Sequence, residues 1–172
     1  SLPGYISGTN VNVLTSFASK TMGGNSKLTF QQNGTNIPGD GTDNIGAVLD
    51  VAHTHYAWGS SVKSFVPTKG ENLSYTVTYN PSGTVYLARL NYIAINYQRT
   101  LALQNGALAW GQYKGETDTQ FEVSGVTDET LVWDVTTSHL PTEMNVTKRD
   151  GKAVFSPISS GNREYVAFNP SA

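Results

Sequence analysis

Cysteine is absent from the 172 residues, which excludes disulfides, thiolate zinc sites and a cysteine nucleophile within this sequence. Charge is scarce as well. Asp, Glu, Lys and Arg make up 14% of the chain, against roughly a quarter in an average soluble domain. With a formal net charge of −2, there is no basic surface to suit a nucleic-acid backbone. No stretch approaches the ~20 apolar residues that a membrane-crossing helix needs. Nor does a charged start lead into an apolar run, so no signal peptide is legible.

What takes the place of charge is Ser, Thr and Asn, about 50 residues together, with 9 Tyr, 6 Phe and 3 Trp. That mixture has too many aromatic and β-branched residues for a disordered chain. Period-2 alternation dominates it. Leu73, Tyr75, Val77 and Tyr79 face one way and Ser74, Thr76, Thr78 and Asn80 the other, until Asn80-Pro81-Ser82-Gly83 ends the run with turn chemistry. The run from Thr84 to Leu103 is apolar on both faces. This predicts a central strand covered on each side, with a bend or a hand-over between sheets near Asn96–Thr100.

Further strands are predicted at Ser26–Gln32, Gly46–Ala52, Ser61–Pro67, Ala107–Tyr113, Thr119–Val123, Thr130–Val135, Glu143–Lys148, Ala153–Pro157 and Glu164–Phe168. Asn33-Gly34, Asp40-Gly41, Lys69-Gly70, Asn105-Gly106 and Asp150-Gly151 punctuate them as turns. Turns every 8–12 residues or so indicate a sandwich or jelly roll instead of a β-α-β fold. Val11–Thr21 is the least poor helix candidate. The fold class is all-β, a single β-sandwich or jelly-roll-like domain over residues 3–172. Ser1-Leu2 reads as a vector remnant and the whole as a piece of a longer polypeptide, whose location a missing signal peptide does not decide.

Few residues suggest chemistry. His53-Thr54-His55 would put two imidazoles on one face of a strand, close enough to grip a metal, with His139 or Asp50 as a third ligand only by tertiary accident. The plainer reading is a polar strand face. The loop Gly39-Asp40-Gly41-Thr42-Asp43-Asn44 offers the carboxylates of Asp40 and Asp43 to a structural calcium, yet lacks EF-hand spacing and reads more simply as an Asx-turn loop. Tyr56, Trp58, Trp110 and Tyr113 could stack sugar rings, although large aromatics in an all-β core mostly pack. The 13 carboxylates form no evident acid–base pair, and neither a nucleophile elbow nor a phosphate loop is present. No catalytic residue and no cofactor is assigned.

The C-terminal half carries a resemblance. Tyr86-Leu87-Ala88-Arg89-Leu90-Asn91-Tyr92-Ile93-Ala94-Ile95-Asn96-Tyr97-Gln98-Arg99 leads into Leu101-Ala102-Leu103. There follow Phe121-Glu122-Val123-Ser124-Gly125, Val132-Trp133-Asp134-Val135-Thr136 and Arg163-Glu164-Tyr165-Val166-Ala167-Phe168-Asn169. This order resembles the β-sandwich segment that precedes the caspase-like domain in gingipain-like cysteine peptidases, above all the PorU-type sortases of type IX secretion systems. It covers residues 73–169 well and the first 70 only loosely. His139-Leu140-Pro141 departs from the family's Pro-x-x-Pro at that point.

The resemblance implies a parent that is a cysteine peptidase or sortase, placed in the periplasm, at the outer membrane or on the cell surface. The family's nucleophile and its partner histidine lie downstream, so this segment would be a non-catalytic packing module. Its partner would be the peptidase domain of the same chain, with other type IX secretion components as further partners. A carbohydrate-binding or adhesin-type sandwich of a surface protein is the alternative.

Overall fold

A computed structural model describes residues 1–37, 42–46, 56–83, 85–115 and 119–171. The chain is all-β, as its alternation predicts, and its fold class is that of a β-sandwich. It divides into two compact units, Ser1–Arg99 and Thr100–Ala172.

In the first unit, β1 (Val11–Met22) runs between β5 (Ala57–Phe65) and β7 (Val85–Tyr97), antiparallel to both. A second sheet is built on β2 (Ser26–Gln32), which pairs with β3 (Thr35–Asn36) and β4 (Thr42–Ile45) on one side and β6 (Tyr75–Asn80) on the other. Val11, Val13 and Phe17 of β1 and Phe65 of β5 are buried with Leu28, Phe30 and Ile45, and Tyr75, Val77 and Tyr79 of β6 pack against them. Leu2 is buried in the same core and its amide donates to the carbonyl of Glu71 at 2.8 Å, so this residue belongs to the fold.

Val11–Thr21, the least poor helix candidate of the sequence, is the middle strand of that sheet. Its alternation is present in the sequence but half of it is written in hydroxyls: Val11, Val13, Thr15, Ser19 and Thr21 are all fully buried. Small polar residues inside a sandwich need partners. Thr15 Oγ1 lies 3.3 Å from the hydroxyl of Tyr75, while Ser19, Thr21 and Ser26 surround that of Tyr79 at 3.1, 2.8 and 2.9 Å. The two tyrosines of β6 thus solvate the polar half of β1.

The second unit pairs β8 (Ala107–Gly115), β14 (Gly161–Phe168), β10 (Leu131–Asp134) and β11 (Thr142–Glu143), in that order. A smaller sheet holds β9 (Phe121–Ser124), β13 (Lys152–Phe155) and β12 (Thr147–Arg149). The core contains an aromatic cluster in which Trp110, Phe121, Phe155 and Tyr165 have ring centroids 5.3–6.1 Å apart. Asn33-Gly34, Asn105-Gly106 and Asp150-Gly151 each place two consecutive residues at positive φ. They are the type I′ turns that match the twist of a hairpin. The strand expected at Gly46–Ala52 and the turn at Asp40-Gly41 lie largely outside the described residues.

Candidate functional site

Two surfaces of the first unit depart from what a covered sandwich shows. The first is β7. The two-faced apolar run had pointed to a strand buried on both sides; it is instead an edge strand, hydrogen-bonded to β1 alone among the described residues. Leu87, Leu90, Tyr92, Ile93 and Ile95 are all exposed, Leu90 to 57%. A bulge between Ser16 and Phe17 of β1 inserts Asn91 into β7, after which register puts Leu87 and Tyr92 on the outer side of the sheet. Leu90, Ile93 and Ile95 share the side of Val13 and Thr15. Those two β1 residues are fully buried whereas their β7 neighbours are not, so the second sheet stops short and β7 forms an apolar ledge.

The second surface is a groove of about 460 Å³ beside β5, lined among others by Phe17, Gly46, Trp58, Ser60, Ser61 and Lys63. Trp58 is the most exposed of the large hydrophobic side chains, at 71%, and stands opposite Ala18 of β1. The inward-facing Ser61 is 5% exposed and its Oγ has no partner. Gly59 is required here because a Cβ would lie 2.6 Å from the ring of Phe17. Lys63 is buried, with its ammonium 4.9 Å from the centre of the Phe30 ring. Near the same end of the sheet, Lys20 and Arg89 sit over the ring of Tyr56.

Of the sequence's candidate residues, Asp40, Asp50, His53 and His55 lie outside the described residues. Asp43 falls in β4, where its backbone pairs with Leu28. His139 is exposed in the connection between β10 and β11. Among the described residues, no three of His, Cys, Asp or Glu come together as a metal site would require. The four aromatics separate: Trp110 packs in the second core, Trp58 faces solvent, Tyr56 is half-buried and the side chain of Tyr113 lies outside the description.

The second unit adds an ion pair that spacing did not announce. Asp134 Oδ2 accepts from Arg163 Nη1 at 3.3 Å and Oδ1 accepts the amide of Thr136 at 2.9 Å. Burial pushes the phenol of the neighbouring Tyr165 above its ordinary range, the Asp134 charge adds to that, and Arg163 opposes it. Trp133, on the other face of β10, meets Phe168 edge-on at 6.2 Å.

No protein-family model and no curated protein matches the sequence. The fold does have a relative. Superposition on the crystal structure of dimeric latent PorU from Porphyromonas gingivalis covers 98% of this chain with a TM-score of 0.73, at 16% sequence identity. The chain has the fold of a PorU segment. It spans 17% of that PorU chain, so the likeness concerns one part of a much larger protein. At this identity it is a likeness of fold, and it agrees with the strand order from which PorU was inferred.

Proposed function

We propose that this chain is a non-catalytic β-sandwich module of a PorU-like cysteine peptidase at the bacterial surface, and that it packs against and positions the peptidase domain of the same polypeptide. The observation that carries the reading is the agreement of fold with a PorU segment over nearly the whole chain. The ledge of β7 supports it from a second direction. Edge strands are normally protected by charge, proline or brevity, but Leu87–Tyr97 carries a single charged residue, Arg89, and no proline. Five large apolar side chains on such an edge suit a permanent neighbour better than water. The occupant is the peptidase domain, since a domain in the same chain is always present at high local concentration. The parent belongs in the periplasm, at the outer membrane or on the cell surface.

The test is to read the native gene onward from Ala172. A continuing frame that encodes a caspase-like α/β domain with a histidine and a later cysteine is the expected result. A stop codon, or a series of further β-sandwiches, overturns the proposal, as does peptidase activity in purified residues 1–172.

A further inference from the structure

From the slot between β6 and β7 we infer that this module takes up one further β-strand, supplied by the parent polypeptide outside residues 1–172. The inference rests on the docking reading and says how the neighbour is held. In the first unit the two sheets differ in reach. Phe30 of β2 lies against Lys63 of β5, and the tyrosines of β6 reach Thr15, Ser19 and Thr21 of β1. Thus β2 faces β5 and β6 faces β1, which leaves no strand of the second sheet, among the described residues, opposite β7. Among the same residues β6 pairs with β2 alone. Its other edge therefore offers backbone N–H and C=O groups beside the exposed Leu90, Ile93 and Ile95. The strands β3, β4 and β5, between which the undescribed residues 38–41 and 47–55 fall, lie at the opposite edges of their sheets.

One end of the slot is already covered by main chain. In the N-terminal segment, Tyr5 makes an antiparallel bridge to Arg99 and its ring lies 6.5 Å from that of Tyr97. The amide of Leu2 donates to the carbonyl of Glu71 at 2.8 Å, just ahead of β6. Leu2 and Tyr5 are buried, and Tyr97 beneath them is half-buried where Ile95, Ile93 and Leu90 of the same row are exposed. A segment that bonds to the backbone and turns apolar side chains inward fits that end, and the same chemistry continues along the slot. Charge narrows the occupant further. Tyr75–Asn80 carries no charged residue, and Arg89, the one charge of β7, shares the outer side with Leu87. The incoming strand is therefore uncharged, with apolar residues at every second position to meet Leu90, Ile93 and Ile95. A second copy of this chain cannot provide it, since pairing β6 with β6 about a two-fold axis would set each β7 in the place of the other copy's β1. A surface resting on the ledge would cover the apolar side chains but leave the β6 edge in water. An added strand satisfies both.

The experiment has two arms, both read by amide exchange. Residues 1–172 are titrated with a blocked peptide of alternating valine and threonine, carrying a lysine at each end for solubility. Alternate amides of β6 point away from β2; they should exchange at least tenfold more slowly once the peptide is bound. Leu90→Thr combined with Ile93→Thr should weaken peptide binding at least tenfold, whereas Leu87→Thr, on the outer side, leaves it unchanged. The same peptide with methylated backbone amides should not bind, because it cannot pair. In the parent polypeptide those β6 amides should be protected with no peptide added. Absence of binding at millimolar peptide overturns the inference, as does binding that survives the double variant or the methylation. So do β6 amides that exchange as fast in the parent as in residues 1–172. The gene beyond Ala172 tests the docking reading separately: a peptidase frame together with a slot that takes no strand leaves that reading standing and overturns this one.

Discussion

The hydroxyl of Tyr79 lies within hydrogen-bonding distance of Ser19, Thr21 and Ser26, and the consequence is chemical as well as structural. Burial raises the cost of ionising it, but the three hydroxyls together outweigh that and hold its pKa below the ordinary tyrosine value. Tyr165 is shifted the other way, by burial first and by Asp134 second. The two phenols should therefore answer alkali oppositely. A raised native pKa contributes stability below the unfolded value, about 10, and loses it as pH climbs through the native value. A lowered one contributes only above about 10, and that contribution disappears as pH falls through the native value. Tyr165→Phe, whose hydroxyl has no partner to lose, should accordingly outlast the parent in urea above pH 10. Tyr79→Phe should cost about 1–2 kcal/mol at pH 7 and more above pH 10. Equal pH profiles for both variants would contradict the assignment. Asp134→Ala leaves Arg163 without its carboxylate and Thr136 N–H without its acceptor, and should cost about 3 kcal/mol in the same assay.

Among the strands, β2 coincides with its sequence expectation, and β10, β13 and β14 lie within a few residues of theirs, because one face of each is largely apolar, and Asn33-Gly34 and Asp150-Gly151 mark the turns beside β2 and β13. β1 was illegible for the opposite reason. Its inner face alternates valine and phenylalanine with threonine and serine, so a pattern defined by hydrophobicity breaks up where Tyr75 and Tyr79 supply hydroxyl partners from another strand. For β7, two apolar faces are compatible with a buried centre and with an unprotected edge alike; only strand order separates them. The same limit hid which of the three tryptophans faces out, Trp58, since no local pattern tells it. The turn into β7 gives a sharp test of element geometry. Gly83 has φ +101°, and a Cβ there would lie 2.0 Å from the carbonyl oxygen of Met22. Gly83→Ala must move backbone, and should lower stability by more than about 2 kcal/mol, whereas Gly34→Ala, with open space around it, should cost only the smaller penalty of its positive φ. Thermal melts of the pair distinguish the two causes.

Across the whole chain, the two units have separate hydrophobic clusters, one around Val11, Phe30 and Phe65 and the other around Val123, Phe155 and Tyr165. A unit of roughly seventy residues, such as Thr100–Ala172, has a total stability of about 4–10 kcal/mol at the usual per-residue values. Phe155 is buried against Trp110, Phe121 and Tyr165, and truncating such a ring to alanine costs about 3–5 kcal/mol. Phe155→Ala should thus bring the second unit close to unfolding at room temperature, and Phe30→Ala should do the same to the first. Amide exchange reads this residue by residue. In Phe155→Ala, protection should fall across β8, β9, β13 and β14 while β1 and β2 keep theirs, and the reverse should hold for Phe30→Ala. A uniform loss of protection from either single substitution would mean that the two clusters behave as one cooperative core. Their sequence boundary at Arg99 and Thr100, where no linker composition marks it, would then carry no thermodynamic meaning.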